Sequence, residues 1–266
     1  FLSHDRPILS RCDDSVFAVS QVPRFLRRGR GFAPLPISLR KDGPSVLACG
    51  AQEKSTFCLT SGTNAFLSQH IGDLDNLETA NHFRETVMRF RDLFRIAPEV
   101  VVHDLHPDLI STHIARELAR EWGLPLSSVQ HHHAHIVSCM AENRITAPVI
   151  GVAFDGTGLG DDGTIWGGEF LLATPSHYQR LGHLEAFPLP GGEGSIRKPK
   201  RLAFAACRHF LGADTALPSS LTQALSAPEA MVIERLLDAR LNTPMTSSAG
   251  RLFDAVSALL GVRCEV

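Results

Sequence analysis

Residues 148–170 read PVIGVAFDGTGLGDDGTIWGGEF, and this stretch decides the fold class. The apolar run from Pro148 to Phe154 predicts a buried strand, and Asp-Asp-Gly at 161–163 predicts a hairpin turn into a second strand at 164–174. Between them, the glycines of 155–158 let the backbone approach an anion closely enough for its N–H groups to bind phosphate. The sequence contains neither a Walker A lysine nor GxGxxG, so those two nucleotide loops are not indicated.

On both sides of this stretch, predicted strands alternate with predicted helices. The alternation predicts an α/β fold with mostly parallel strand pairing, whereas the strands at 164–174 and 178–187 are expected to be antiparallel. The predicted strands are 45–50, 55–60, 99–103, 126–129 and 178–187, and the predicted helices are 77–94, 109–122, 132–142, 200–211, 228–241 and 248–260. The segment before residue 44 is rich in Arg, Gly and Pro, and we interpret it as a solvated linker in preference to a phosphate contact.

The composition indicates a globular protein of about two domains. Lys plus Arg number 26 against 28 Asp plus Glu in 266 residues, and the resulting charge of -2 argues against a nucleic-acid partner. No apolar run is long enough to cross a bilayer, so we expect no membrane association and a cytoplasmic location. The 6 cysteines form no CxxC pair, which predicts free thiols and no zinc ribbon.

The segment VQHHHAH at 129–135 places four imidazoles within five positions. His131 and His135 stand at i and i+4, which puts them on one face of a helix, and neutral imidazole binds zinc or iron. His132 and His135, at i and i+3, form a competing pair. A zincin peptidase is disfavoured because His132 stands where that motif needs Glu. Spacing alone identifies no third ligand and leaves solvent-facing or backbone-bonded histidines as the alternative.

A second cluster, HDLHPD at 103–108, follows a predicted strand. Asp104 and Asp108 would lie at the carboxyl end of that strand, where ligands gather in open α/β sheets. A loop that caps the next helix is the alternative interpretation.

Six segments, in this order, resemble the HypF family of hydrogenase maturation carbamoyltransferases. They are GAQEKSTFCL (50–59), LSQHIGDLDN (67–76), HDLHPDL (103–109), VQHHHAH (129–135), FDGTGLGDDGTIWGGEF (154–170) and SSAGRLFDA (247–255). The resemblance implies a two-lobed actin- and sugar-kinase-like (ASKHA, TsaD-like) α/β fold. Its expected parts are the tail of a YrdC-like domain at 1–30, a linker at 31–44, a first lobe at 45–147 and an incomplete second lobe at 148–266. We expect the chain, which runs from Phe1 to Val266, to be a piece of a longer protein.

The resemblance also implies an activity. Carbamoyl adenylate, made from carbamoyl phosphate and ATP, would donate its carbamoyl group to the C-terminal cysteine of the partner HypE, in synthesis of the cyanide ligand of [NiFe]-hydrogenase. The implied cofactors are ATP or carbamoyl adenylate and a divalent metal, iron or zinc, with magnesium as a further candidate. A small-molecule O-carbamoyltransferase and a non-catalytic nucleotide-binding docking module are the alternatives.

By position, the resemblance assigns His131 and His135 as metal ligands. We expect these imidazoles and the 155–158 segment to face each other across the cleft between the lobes. The family's third metal ligand is an Asp in a later Gly-rich segment, so we expect an incomplete metal site here. No catalytic residue is assigned, because the partner supplies the thiolate. The assigned nucleotide or phosphate contacts are Lys54, Asp155, Gly156, Thr157, Gly158, Gly250 and Asp254.

One segment departs from the family pattern. Lys198 stands where an acid is expected and Lys200 where an aromatic residue is usual. These differences leave a substrate role for Arg197 or Arg201 open.

Overall fold

The computed structural model describes residues 3, 5–19, 21 and 23–265. Five residues of the predicted YrdC-like tail, Phe1, Leu2, His4, Ser20 and Val22, lie outside the described residues, as does Val266 of the predicted second lobe. The chain divides into two compact units, residues 1–129 with 141–144 and residues 130–140 with 145–266. The sequence interpretation kept all of 45–147 in one lobe, and its domain bounds stay a prediction.

The first unit is built on a six-stranded sheet with the strand order β3-β6-β5-β4-β7-β8. Its helices, α1 (Leu77–Phe94) and α2 (Ile110–Trp122), contribute Phe83 and Leu118 to a core that also buries Leu47. A separate hairpin pairs β1 with β2. The strands of this unit are β1 (Val16–Ala18), β2 (Arg24–Arg27), β3 (Ile37–Ser38), β4 (Val46–Ala48), β5 (Cys58–Ser61), β6 (Asn64–Leu67), β7 (Val100–Asp104) and β8 (Leu126–Val129).

The second unit is built on a five-stranded sheet in which β10 pairs with β9, β11 and β13, and β13 pairs with β12. Its strands are β9 (Val149–Leu159), β10 (Ile165–Ala173), β11 (Tyr178–His183), β12 (Phe187–Pro188) and β13 (Met245–Thr246). Its helices are α3 (His131–Glu142, whose last two residues belong to the first unit), α4 (Glu193–Ile196), α5 (Pro199–Leu211), α6 (Ser219–Ala224), α7 (Ala227–Ala239) and α8 (Ala249–Leu259).

Helix α3 is held against the sheet by its apolar side chains. Ile136 and Met140 pack in one buried cluster with Ala153 of β9 and Trp166 of β10. Gly151 allows this close packing, since a Cβ there would lie 2.3 Å from Cδ1 of Ile136. The packing fixes the start of α3 beside β9, and that start carries the histidine cluster.

The predicted α/β class and the antiparallel strands at 164–174 and 178–187 are confirmed, but the predicted mostly parallel pairing is wrong. Of the 10 strand pairings among the described residues, only β4–β7, β7–β8 and β10–β13 are parallel. The reason is the number of short connections, such as the turn between β9 and β10. A short turn can join only antiparallel strands, whereas a parallel pair needs a long crossover.

The segment before residue 44, interpreted above as a solvated linker, contains strands. Strand β1 (Val16–Ala18) pairs antiparallel with β2 (Arg24–Arg27), and Ile37 of β3 pairs with Ala65 of β6. Backbone pairing with a strand distant in sequence therefore outweighs the local Gly and Pro content. Within the described part of the chain, no helix is long and apolar enough to cross a membrane.

Candidate metal and nucleotide site

Strand β9 carries Asp155 in a bulge. Gly158 pairs with Trp166 and Phe154 pairs with Gly168, so the three residues 155–157 oppose Gly167 alone. Extra residues of this kind bend a strand and redirect its side chains. The sequence predicted a phosphate-binding turn at 155–158, and the structure corrects this to a continuous, bulged strand that runs to Leu159.

The hairpin turn predicted at 161–163 is confirmed. Gly163 has a positive φ of 75°, and its N–H donates to the carbonyl oxygen of Gly160 over 3.0 Å. Asp162 fixes the far end of the turn by accepting from the Thr164 N–H at 2.9 Å. The turn returns the chain along β9, which is why β10 lies next to the bulge.

Helix α3 presents two of the histidines to Asp155. Its first turn is capped by Gln130, whose Oε1 accepts from the His133 N–H at 2.9 Å. The i, i+4 spacing then brings Nε2 of His131 to 3.2 Å from Nε2 of His135. This is the helical face that the sequence predicted.

Three ligand atoms converge at this point. Oδ2 of Asp155 lies 3.0 Å from Nε2 of His131 and 3.5 Å from Nε2 of His135. Ligand atoms bound to one ion at about 2.0–2.2 Å lie about 3.0–3.5 Å apart, so these separations fit a shared divalent metal. In the described ranges this is the one cluster of three His, Cys, Asp or Glu side chains close enough to share an ion. The donor set, two imidazoles and a carboxylate, suits zinc or iron.

The electrostatics of Asp155 favour the ionised form that a metal needs. Burial opposes ionisation, but hydrogen bonds from His131, His135 and the Gly156 N–H outweigh it and hold the pKa of Asp155 well below its usual range. The His131 side chain is 16% exposed and that of His135 is 59% exposed, so the cluster is open to solvent on the His135 side.

His132, the competing candidate, does not belong to this cluster. It is fully buried, and its Nδ1 lies 3.1 Å from Nε2 of Gln130, which also donates to the carbonyl oxygen of Leu159. A Cβ on Gly158 would lie only 2.6 Å from Cε1 of His132, so ring and strand are packed together. Burial, and next the charge of His131, lower the pKa of His132 to about 4. The ring is therefore neutral at neutral pH and serves packing.

The start of α8 lies against the same bulge. The hydroxyl of Ser248 donates to the carbonyl oxygens of Asp155, at 2.8 Å, and Gly156, at 2.6 Å. It also accepts from the Arg251 N–H at 3.1 Å, which caps the helix. A Cβ on Gly250 would lie 2.8 Å from Cα of Gly156, so only glycine allows this approach. The N-terminus of a helix favours an anion, which suits a phosphate beside the metal ligands.

The structure therefore brings five of the predicted residues into one place, within the second unit. These are His131, His135, Asp155, Gly156 and Gly250. The imidazole pair and the 155–158 segment meet as expected, but inside one compact unit, because α3 packs on β9. That Asp155 completes a three-ligand cluster was not predicted, although the predicted phosphate contact of Asp155 stays a prediction.

Three further residues, Thr157, Asp254 and Lys54, were also predicted to contact the nucleotide or phosphate. Thr157 is exposed, and Asp254 accepts from Nη2 of Arg251 at 2.8 Å. Lys54 belongs to the first unit, where its N–H donates to Oδ1 of Asp73 at 2.6 Å. The nucleotide or phosphate contacts assigned to these residues and to Gly158 stay predictions.

The HDLHPD segment forms a tight loop before α2. Oδ1 of Asp104 accepts from the His106 N–H at 2.9 Å, and Thr112 donates its hydroxyl to the His106 carbonyl oxygen at 2.9 Å. They fold the loop on itself but do not cap α2: its N-cap, Leu109, makes no side-chain capping bond, and the Ile110 N–H donates to Oε1 of Gln52 at 2.9 Å. Arg197 lies in an exposed ion pair with Glu193 at 2.7 Å, which gives no sign of a substrate role.

Sequence reasoning missed three residues of the site. Ser248 had a usable signal, since a Ser directly before a helical segment predicts an N-cap. Ser247 and Glu169 carry no such local signal, because their contact at 2.5 Å joins positions that are 78 residues apart.

Two family descriptions match the chain. "HypF Kae1-like domain" matches residues 41–142, and "Carbamoyltransferase, Kae1-like Domain, second subdomain" matches residues 151–266. The chain belongs to the HypF family. The predicted resemblance is thereby confirmed, because the first match contains the histidine cluster and the second contains the bulge of β9.

Curated HypF proteins align with nearly the whole chain. The chain is 49% identical to carbamoyltransferase HypF2 of Cupriavidus necator, over 99% of this chain and 33% of that protein. It is 43% identical to carbamoyltransferase HypF of Rhizobium leguminosarum bv. viciae, over 98% of this chain and 34% of that protein. The chain thus spans about a third of the length of these relatives.

Solved HypF structures share the fold. A full-length HypF in the phosphate- and nucleotide-bound form matches with a TM-score of 0.91 and 44% identity, over 100% of this chain and 41% of that one. HypF of T. kodakarensis matches with a TM-score of 0.82 and 34% identity, over 96% of this chain and 35% of that one. The predicted TsaD-like α/β fold class, here described as Kae1-like, is confirmed.

Proposed function

We propose that this chain is the part of a HypF carbamoyltransferase that moves the carbamoyl group of carbamoyl adenylate to the C-terminal cysteine of HypE. The carbamoyl adenylate is made from carbamoyl phosphate and ATP, and the product supplies the cyanide ligand of [NiFe]-hydrogenase. The proposal rests on one observation. In a chain of the HypF family, the His131–His135–Asp155 cluster lies directly beside the start of α8, where Gly250 packs against Gly156.

In the proposed step, the thiolate sulfur of HypE attacks the carbamoyl carbon. A carbon–sulfur bond forms, the bond from that carbon to the adenylate phosphate oxygen breaks, and AMP leaves with the electron pair. The developing charge on AMP is favoured by the N-terminus of α8, which lies beside Gly156. Holding donor and acceptor together raises their effective concentration.

His131, His135 and Asp155 are the residues that would hold a divalent metal. A bound metal supplies a Lewis acid that can polarise a carbonyl or phosphate oxygen. Ser248 keeps the bulge in place beneath these ligands through its two bonds to the carbonyl oxygens of Asp155 and Gly156.

Four of the 6 thiols of this chain are poorly suited to accept the carbamoyl group, which supports an acceptor thiol on the partner. Burial raises the pKa of Cys49 to about 12 and that of Cys58 to about 11, and it also raises the pKa of Cys12 and Cys207. A protonated thiol is a poor nucleophile. These four cysteines are therefore poor candidates for a carbamoyl acceptor.

The test uses the intact protein with ATP, carbamoyl phosphate and HypE. We expect AMP release and one added carbamoyl group on the HypE terminal cysteine, measured by chromatography and intact mass. A HypE variant with Ser in place of that cysteine is the control and should gain no mass. Binding of ATP and HypE without any transfer would contradict the proposal and favour a non-catalytic docking module. Carbamoylation of a small alcohol instead of HypE would favour an O-carbamoyltransferase.

A further inference from the structure

Glu169 is a fully buried acid beneath the candidate site, and it is not one of the three clustered ligands. Its Oε1 accepts from the Gly167 N–H at 3.1 Å, the Gly168 N–H at 3.2 Å and the Ser247 hydroxyl at 2.5 Å. Its Oε2 accepts from Nε of Arg180 at 2.7 Å. Burial would raise the pKa of Glu169, but these hydrogen bonds outweigh it and lower the pKa. The carboxylate is therefore charged, and its four donors compensate its burial.

Two of these donors belong to the segment that faces the bulge. Gly167 alone opposes residues 155–157. A Cβ on Gly167 would lie 2.7 Å from the carbonyl oxygen of Asp155 and 2.8 Å from Cβ of Ser248. The Gly167 backbone is thus in contact with both the metal-ligand strand and the start of α8. Because the two backbones are in contact, a movement of the Gly167 peptide would also move Asp155.

A third donor connects Glu169 to the helix start. Ser247 directly precedes Ser248, whose hydroxyl binds the carbonyl oxygens of Asp155 and Gly156. Nη2 of Arg180 also donates to Oγ of Ser247, at 3.3 Å. The Arg180 guanidinium itself is fixed by Asp162 at 3.0 Å and lies 4.1 Å from the centre of the Trp166 ring. The carboxylate therefore joins β10, β11 and the segment before α8.

We propose that Glu169 is a positioning residue of the site: by tying Gly167 and Gly168 to Ser247, it sets the position of Asp155 relative to His131 and His135. The proposal rests on the function proposed for this site. Glu169 acts only through other residues and touches neither substrate nor metal. The alternative is that Glu169 merely stabilises the fold. Metal affinity separates the two, because a structural role lowers stability without specifically weakening the three-ligand cluster.

The experiment compares variants of the intact protein by titration with cobalt(II). Glu169→Gln keeps the shape of the side chain but removes its charge, and Ser247→Ala removes one of its donors. The control, Leu225→Ala, removes a buried side chain in a separate hydrophobic cluster of the same unit. Titration of His135→Ala measures the cobalt that binds at other sites, and this amount is subtracted from the titrations of the other proteins. The cobalt absorption spectrum reports whether the ligand set changes.

We expect Glu169→Gln to weaken cobalt binding about 10-fold or more and to alter the spectrum, as supporting residues around metal ligands do. Ser247→Ala should weaken binding in the same direction by about threefold. Leu225→Ala should lower the melting temperature but leave cobalt affinity within about twofold of wild type. If Glu169→Gln does not fold, Ser247→Ala decides the question.

The proposal is overturned if both site variants bind cobalt as tightly as wild type, or if Leu225→Ala loses as much affinity as they do. It is also overturned if wild type binds no more cobalt than His135→Ala. Failure of the proposed function looks different. In that case wild type binds cobalt and depends on Glu169 for it, yet transfers no carbamoyl group to HypE.

Discussion

Nε2 of His131 lies 3.0 Å from Oδ2 of Asp155, although 24 positions separate the two residues in the sequence. The contact exists because α3 packs on β9 through Ile136 and because the bulge redirects the Asp155 side chain. A helix start and a strand irregularity together make the ligand cluster. The ligands and the backbone that carries them can therefore be changed separately by substitution.

The first prediction concerns His135. Because its side chain is 59% exposed, His135→Ala should change the free energy of unfolding of the metal-free protein by no more than about 0.5 kcal/mol. It should nevertheless remove the bound metal, since two ligands hold a divalent ion far less tightly than three. Elemental analysis of the purified intact protein and urea unfolding measure the two effects. His177→Ala, an exposed histidine in the loop after β10, is the matched control and should keep the metal. Equal metal content in the two variants would remove His135 from the site.

A second prediction concerns Gly250. In Gly250→Ala the new Cβ would meet Cα of Gly156 at 2.8 Å, so α8 has to move away from the bulge. We expect a destabilisation of about 1–3 kcal/mol and a loss of ATP affinity of about 10-fold or more. Calorimetry with ATP and urea unfolding of the intact protein test both. Gly182→Ala in β11 has no heavy atom within 4 Å of its new Cβ and should bind ATP normally. Unchanged ATP binding by Gly250→Ala would place the nucleotide elsewhere.

Local periodicity predicted much of the fold. The helix predicted at 77–94 is the observed α1, because Asn76 caps it, with its Oδ1 accepting from the Thr79 N–H at 2.8 Å, and Arg95 ends it with a φ of 52°. Both signals are encoded within a few residues. Sheet order was not predictable in this way, because β3 pairs with β6 and β10 pairs with β13 through contacts that no local pattern records.

The residues of the site also divide into those that local sequence predicts and those that depend on contacts between distant positions. Helical spacing predicted the pairing of His131 with His135 but left His132 with His135 as an alternative, which the burial of His132 decides. Asp155 was recognised as a functional residue, but its place beside the imidazoles depends on a bulge in β9, which the glycines suggested only as a turn. The contact of Glu169, in the middle of β10, with Ser247, directly after β13, joins residues 78 positions apart and had no signal in the sequence.

The third prediction compares two serine caps. Ser248 caps α8 and also binds the bulge, whereas Ser226 caps α7 in a capping box with Glu229. Both Ser248→Ala and Ser226→Ala should lose about 0.5–2 kcal/mol of stability, the usual value of an N-cap. Only Ser248→Ala should also weaken ATP and metal binding, because it alone frees the carbonyl oxygens of Asp155 and Gly156. Urea unfolding and calorimetry of the intact protein provide the comparison. If the two variants bind ATP and metal equally well, the bonds from Ser248 to the bulge have no part in ligand binding.

The last prediction concerns acid stability and Glu169. Its pKa in the folded protein lies below the value of a free glutamate, so its contribution to stability is fully present above the ordinary carboxyl range of about pH 4.3. That contribution is lost as the pH falls through the lowered pKa, with a slope of up to about 1.4 kcal/mol per pH unit. Glu169→Gln has no such proton to bind. The gap in stability between wild type and Glu169→Gln should therefore be widest near neutral pH and narrow in acid.

Urea unfolding of both proteins between about pH 7 and about pH 3 measures this gap. The exposed Glu185 provides the control, and Glu185→Gln should follow the wild-type curve throughout. A gap between wild type and Glu169→Gln that stays constant down to the lowest pH would mean that the buried carboxylate is not charged in the native protein.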